Sequence, residues 1–123
     1  YDEIFSLWKT LSNAYQFNLK IFLQPIPSWL NKPLSIEEKT LFNILDNSND
    51  KAHINLKKLS SIDNYNNFLS ILEKVSKKNN VDFIDLNKEL LEIKNINKWL
   101  FVDRVHMTNQ GYEDLAEIVL KNI

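Results

Sequence analysis

The sequence predicts an α/β protein, a three-layer α/β/α sandwich built on a parallel sheet. Three observations predict it. Two short apolar runs, LKIFLQP and VDFIDL, are rich in β-branched and aromatic residues and read as strands. Amphipathic segments with helical spacing lie before, between and after them. The length, 123 residues, suits one domain and can bury roughly two-thirds of the unfolded surface. Strands that alternate with helices imply crossover connections and parallel pairing. Two strands are too few for a parallel sheet covered on both faces. Residues 1–123 therefore read as one half of such a domain.

Residues 1–18 read as a helix, because Ile4, Leu7, Trp8, Leu11 and Tyr15 recur at three- and four-residue spacing. Leu19 to Pro25 is a short apolar strand ended by proline. The loop PIPSWLNKP follows, held extended or turned by its prolines and carrying Trp29. Ser35 opens the next helix. With Glu38 it makes an S-x-x-E capping box, in which each side chain bonds the other residue's backbone N–H. Ile36, Leu41, Ile44 and Leu45 supply its apolar face. DNSND is a polar break, and residues 51–60 are ambiguous. A longer helix is expected from Ser61 to Lys78, with Ile62, Tyr65, Phe68, Leu69, Leu72 and Val75 inward. Val81 to Leu86 alternates and is the second strand. Asn87 is expected to cap a short helix through Ile93. A loop with Lys98, Trp99 and Leu100 leads to the last helix, capped by Thr108 or Asn109, whose apolar face is Tyr112, Leu115, Ala116, Val119 and Leu120.

Composition narrows the function classes. Net charge is −1 and Arg104 is the only arginine, so no basic patch argues for nucleic acid. The absence of cysteine excludes disulfides, zinc–thiolate sites and a cysteine nucleophile. No apolar run approaches the ~20 residues that span a bilayer. Gly111 is the only glycine, which excludes Gly-rich phosphate loops. The chain begins at Tyr1 and not Met, so an upstream segment is expected that would carry any targeting signal. The compartment stays open for that reason.

The stretch FVDRVHMTNQGYEDLAEIVL carries the chemistry. Asp103 stands three residues before His106, and an amphipathic helix follows. In a serine hydrolase a histidine takes the proton of the attacking hydroxyl, while a carboxylate on its other ring nitrogen fixes the tautomer and stabilises the imidazolium. An Asp-x-x-His spacing can set both groups on one side of a turn. In an open α/β sheet such loops belong at the C-terminal strand edge. The block from Phe101 to Ala116 resembles the last block of the SGNH (GDSL-type) hydrolase family, Asp-x-x-His-[Leu/Met]-Thr-x-x-Gly. VDFIDL with its short helix is similar to the segment before that block, and IFLQP to the family's fourth-strand region.

The resemblance implies a flavodoxin-like α/β/α fold and an ester hydrolase working through a Ser-His-Asp acyl-enzyme. It makes His106 the general base and Asp103 its orienting carboxylate. Met107 and Thr108 would shape the turn, and Gly111 would allow close packing at the helix start. The family's Gly-Asp-Ser nucleophile block is absent, as are its glycine and asparagine oxyanion blocks. No serine here has glycine beside it. The chain is therefore expected to be the C-terminal half of such a hydrolase, inactive alone. The missing N-terminal half or a partner chain would complete it, and the substrate would be a small-molecule or carbohydrate ester. Trp29, Gln24 and Trp99 are candidate substrate contacts, since they fall in loops or strand ends near the expected site. No metal or organic cofactor is implied. His53, Asp103 and His106 are too few and too scattered for a metal set, and His53 has no acidic partner at useful spacing. Two other readings remain open: a non-catalytic binding or assembly module, and an acyltransferase of the same family.

Overall fold

A computed structural model describes residues 1–93 and 96–123. Among them are two strands, β1 (Lys20–Leu23) and β2 (Asp82–Asp85), and seven helices. The helices are α1 (Asp2–Tyr15), α2 (Pro27–Leu30), α3 (Ile36–Asp46), α4 (Lys51–Leu59), α5 (Ile62–Asn79), α6 (Leu86–Leu91) and α7 (Asn109–Asn122). The strands pair with each other in parallel, Lys20 opposite Asp82 and Leu23 opposite Asp85. Four helices connect them.

This architecture corrects the three-layer sandwich. The described residues are mostly helical, and their sheet is a single pair of four-residue strands. Two strands make a ribbon, not a middle layer with two faces to cover. Part of the difference lies in residues 51–59, which form α4. Asp50 caps that helix by accepting the Ala52 N–H at 2.8 Å, so the polar run before it is a helix start as well as a break. Pro27 likewise opens the one-turn α2 inside the expected loop, with its fixed φ preset for the first helical position.

Most helix ends follow the side chains that specify them. Ser35 and Glu38 form the reciprocal capping box of α3. Ser61 caps α5, and Asn80 ends it in the left-handed conformation at φ 53°. Thr108 caps α7. The cap of α6 differs from expectation: Asp85 accepts the Asn87 N–H at 3.1 Å, which leaves the Asn87 side chain free for longer-range bonds.

One buried cluster joins the elements: Leu30, Phe42, Leu86, Leu90, Leu100, Phe101, Met107 and Ile118. Burying each such side chain is worth about 1.5–3 kcal/mol. Three of the eight, Leu100, Phe101 and Met107, come from the segment before α7, so the base of the Asp103–His106 turn is core. The stripe expected to face inward on α1 does not: Ile4, Leu7, Trp8 and Tyr15 are all exposed, and Phe5 and Ser12 are the buried positions. Among the described residues, no helix is long and apolar enough to cross a membrane.

Candidate active site

The segment from Leu100 to Thr108 folds back on itself. Phe101 and Met107 form an antiparallel bridge. The Val102 N–H donates to the His106 carbonyl at 3.0 Å, and the Thr108 N–H to the Leu100 carbonyl at 2.8 Å. Leu100, Phe101 and Met107 root this hairpin in the core, and Asp103 to His106 form its tip.

Asp103 organises that tip. Its Oδ1 accepts the backbone N–H groups of Val105 and His106, each at 2.7 Å. An aspartate that bonds the backbone two residues on is a self-contained turn former. Its second oxygen, Oδ2, lies 2.8 Å from His106 Nδ1. One carboxylate thus fixes both the turn and the ring that the turn carries. The three-residue spacing matters because it puts residue 106 where its N–H and its ring both meet the same carboxylate. Burial alone would raise the Asp103 pKa. The His106 N–H and ring and the Val105 N–H outweigh burial and hold it below the usual 3.8. Asp103 is therefore ionised at neutral pH, which assigns the proton of a neutral imidazole to Nδ1. Nε2 has no hydrogen-bond partner among the described residues, and the His106 side chain is 66% exposed.

Three contacts hold the turn from outside. The Gln24 side-chain amide, just past β1, donates to the Val105 carbonyl at 2.9 Å. The turn therefore sits at the C-terminal end of that strand. Arg104 reaches α3, where its guanidinium meets Asp46 at 2.6 Å and lies 4.6 Å from the centre of the Phe42 ring. Its Nε–H is buried without a hydrogen-bond partner. Lys57 of α4 shares Asp46 at 2.9 Å. Burial alone would raise the Asp46 pKa, but these two cations keep it below the ordinary carboxylate value.

The deepest support is Glu38. Its Oε1 accepts the N–H groups of Leu100 and Phe101 at 3.0 and 3.1 Å. Its Oε2 accepts the Ser35 N–H at 2.8 Å and the Lys32 ammonium at 2.5 Å. Both side chains of the Lys32–Glu38 pair are wholly buried. Asn87 makes no hydrogen bond to the turn and instead joins the two strand ends. Its Oδ1 accepts the Ile26 N–H at 3.1 Å, and its amide donates to Asp85 Oδ1 at 2.9 Å.

Helix α7 starts directly behind the turn. Thr108 accepts the Gly111 N–H at 3.0 Å. A Cβ at Gly111 would stand 2.5 Å from the Leu100 carbonyl oxygen and 3.0 Å from Met107. The single glycine lies where backbone passes backbone.

The other candidates separate. Gln24 is committed to the turn. Trp29 donates through Nε1 to the Ser61 carbonyl at 3.1 Å, and its ring centre lies 5.2 Å from that of Tyr65. It shares an apolar cleft with Val105. Trp99 donates to the carbonyl of Phe101 at 2.8 Å and is 42% exposed, so it braces its own segment. His53 does have an acidic neighbour: its Nε2 lies 3.9 Å from Asp50 Oδ2, one turn back on α4, so the expectation of no acidic partner is corrected.

No serine hydroxyl hydrogen-bonds His106 among the described residues. Ser35 and Ser61 are caps, Ser12 and Ser60 bond carbonyls, and the hydroxyls of Ser28, Ser48 and Ser76 are buried without partners. Sequence reasoning missed Lys32 and Asp46 and the reach of Glu38 beyond its cap. The one available signal was Arg104, the single arginine in a lysine-rich chain and the residue next to Asp103. No protein-family model matches the chain, and no curated protein matches it.

Proposed function

We propose that this chain supplies the base and the orienting carboxylate of a serine ester hydrolase. The observation that carries the reading is the pair itself. Asp103 holds His106 through Nδ1 at 2.8 Å, while Nε2 has no hydrogen-bond partner among the described residues and the side chain is 66% exposed. That is the arrangement a general base needs: one nitrogen anchored, the other open to a substrate or nucleophile.

The chemistry runs in two halves. A serine oxygen attacks the ester carbonyl carbon as His106 Nε2 takes its proton, and Asp103 stabilises the imidazolium. The alkoxy C–O bond then breaks, and His106 returns the proton to the leaving alcohol. Water attacks the acyl-enzyme with His106 again as base. The acid departs and the serine hydroxyl is restored. The serine comes from an element outside the described residues, in a preceding segment or a partner chain. The sequence of steps requires no metal or organic cofactor.

The test is turnover of 4-nitrophenyl esters by the full natural protein that contains this chain. His106→Ala is expected to abolish it. Asp103→Asn is expected to lower kcat by about 10⁴, as loss of the tautomer-fixing carboxylate does in a serine protease triad. Near-normal turnover by the His106→Ala protein would end the assignment. One observation favours a second reading, a non-catalytic binding module: no serine hydroxyl reaches His106 among the described residues. Labelling by a fluorophosphonate, which needs an activated serine, separates the two.

A further inference from the structure

We infer that an apolar cleft beside the Asp103–His106 turn binds the acyl chain of the ester, and that the chain is of medium length. This identity for the occupant rests on the hydrolase reading. The cleft itself does not. It has a volume of about 200 Å³ and is lined by Ile26, Trp29, Leu56, Leu59, Phe68 and Val105, with Ser60 and Arg104 at its border. Its exposed lining is wholly apolar. Three larger surface clefts, of 450 to 510 Å³, have charged or amide linings instead and do not include a residue of the turn.

The position points to the substrate. Val105 forms one wall, and the next residue is the base. Its carbonyl is fixed by Gln24 and its N–H by Asp103, so the wall and the base move together. The chemistry points to an uncharged occupant. The Arg104 guanidinium is ion-paired with Asp46, the Ser60 hydroxyl donates to the Lys57 carbonyl at 3.3 Å, and neither exposes a polar atom to the cleft. A carboxylate or sugar placed in the cleft would lose water with nothing to replace it. An alkyl chain would cover Leu59, which is 59% exposed, and the half-buried rings of Trp29 and Phe68. The size selects the length. An engineered cavity of about 150 Å³ admits benzene, so the cleft here takes a group of about six to eight carbons. An acetyl group would leave most of it unfilled.

The probe is hexanoate, titrated into the full chain and followed by methyl and amide NMR, with acetate as control. Saturable shifts are expected at Ile26, Leu56, Leu59 and Val105 with hexanoate and none with acetate at equal concentration. Val105→Trp and Leu56→Trp, which fill the cleft from two different elements, should each weaken binding at least tenfold. Either one suffices if the other fails to fold. The inference is overturned if hexanoate leaves those residues unshifted, or if acetate shifts them equally. It is also overturned if a folded filling variant binds unchanged. Failure of the hydrolase reading would show in ester turnover and leave these shifts intact.

Discussion

Replacing Glu38 with glutamine tests how the turn is held. The Glu38 carboxylate is wholly buried and receives four donors: the Lys32 ammonium and the N–H groups of Ser35, Leu100 and Phe101. Glutamine can keep an oxygen on Leu100 and Phe101. It must then aim an amide NH₂ at Lys32 and Ser35, which are themselves donors. Two consequences have different sizes. A buried hydrogen-bonding group left unpaired costs about 1–3 kcal/mol. A buried charge left without its partner costs about 3–5 kcal/mol, so the stranded Lys32 ammonium dominates. A domain of this length has roughly 6–18 kcal/mol of total stability. The variant should therefore lose a fifth or more of it and drop in Tm by on the order of 10–20 °C. Urea denaturation followed by far-ultraviolet circular dichroism gives the number for Glu38→Gln, Lys32→Met and the double variant. Because Lys32→Met removes the stranded charge, the double variant should be more stable than Glu38→Gln alone. The reasoning fails if Glu38→Gln costs under ~1 kcal/mol, or if Lys32→Met costs as much in the Glu38→Gln background as in the parent.

Two further outcomes follow from the geometry. Gly111→Ala places a Cβ 2.5 Å from a backbone oxygen that cannot rotate away. Overpacking of about 1–3 kcal/mol should outweigh the up to ~1 kcal/mol that alanine gains over glycine in a helix, so thermal melts should show a net loss. An equally stable variant would mean the α7 start is looser than described. Asp103 has a lowered folded-state pKa, so its contribution to stability is present above 3.8 and lost as pH falls through the lower folded value. The ¹³C carboxyl resonance of Asp103 should titrate with a midpoint below 3.8; a midpoint at or above it contradicts the two N–H bonds and the ring contact.

The caps of α3, α5 and α7 were legible because the information is local. Ser35 with Glu38, Ser61, and Thr108 before Gly111 all act within four residues. What periodicity cannot say is which side of a helix is covered. Ile4, Leu7, Trp8 and Tyr15 share a stripe on α1, yet the buried positions Phe5 and Ser12 lie off it, by roughly 100° for the step from Ile4 to Phe5. The same limit explains the sheet. The apolar run of LKIFLQP and the alternation of VDFIDL mark both strands, but how many strands complete a layer is a matter of pairing partners, and the described residues contain one pair.

The site divides along the same line. Asp103 and His106 are three residues apart, so the turn, the two N–H bonds and the ring contact all close within one local loop. Its supports are remote: Gln24 is 81 residues from Val105, Glu38 is 63 from Phe101, and Asp46 is 58 from Arg104. No spacing rule reaches that far, and each of those residues has an ordinary surface or capping role to be read first. This separation also has a mechanical consequence. A short local turn could form the Asp103–His106 contact by itself, but an isolated turn pays conformational entropy of about 1–2 kcal/mol per ordered residue. Bonds from the β1 end and from both ends of α3, through Glu38 and Asp46, constrain the same segment from two elements. They turn a contact that any Asp-x-x-His loop can visit into one that this chain holds in place.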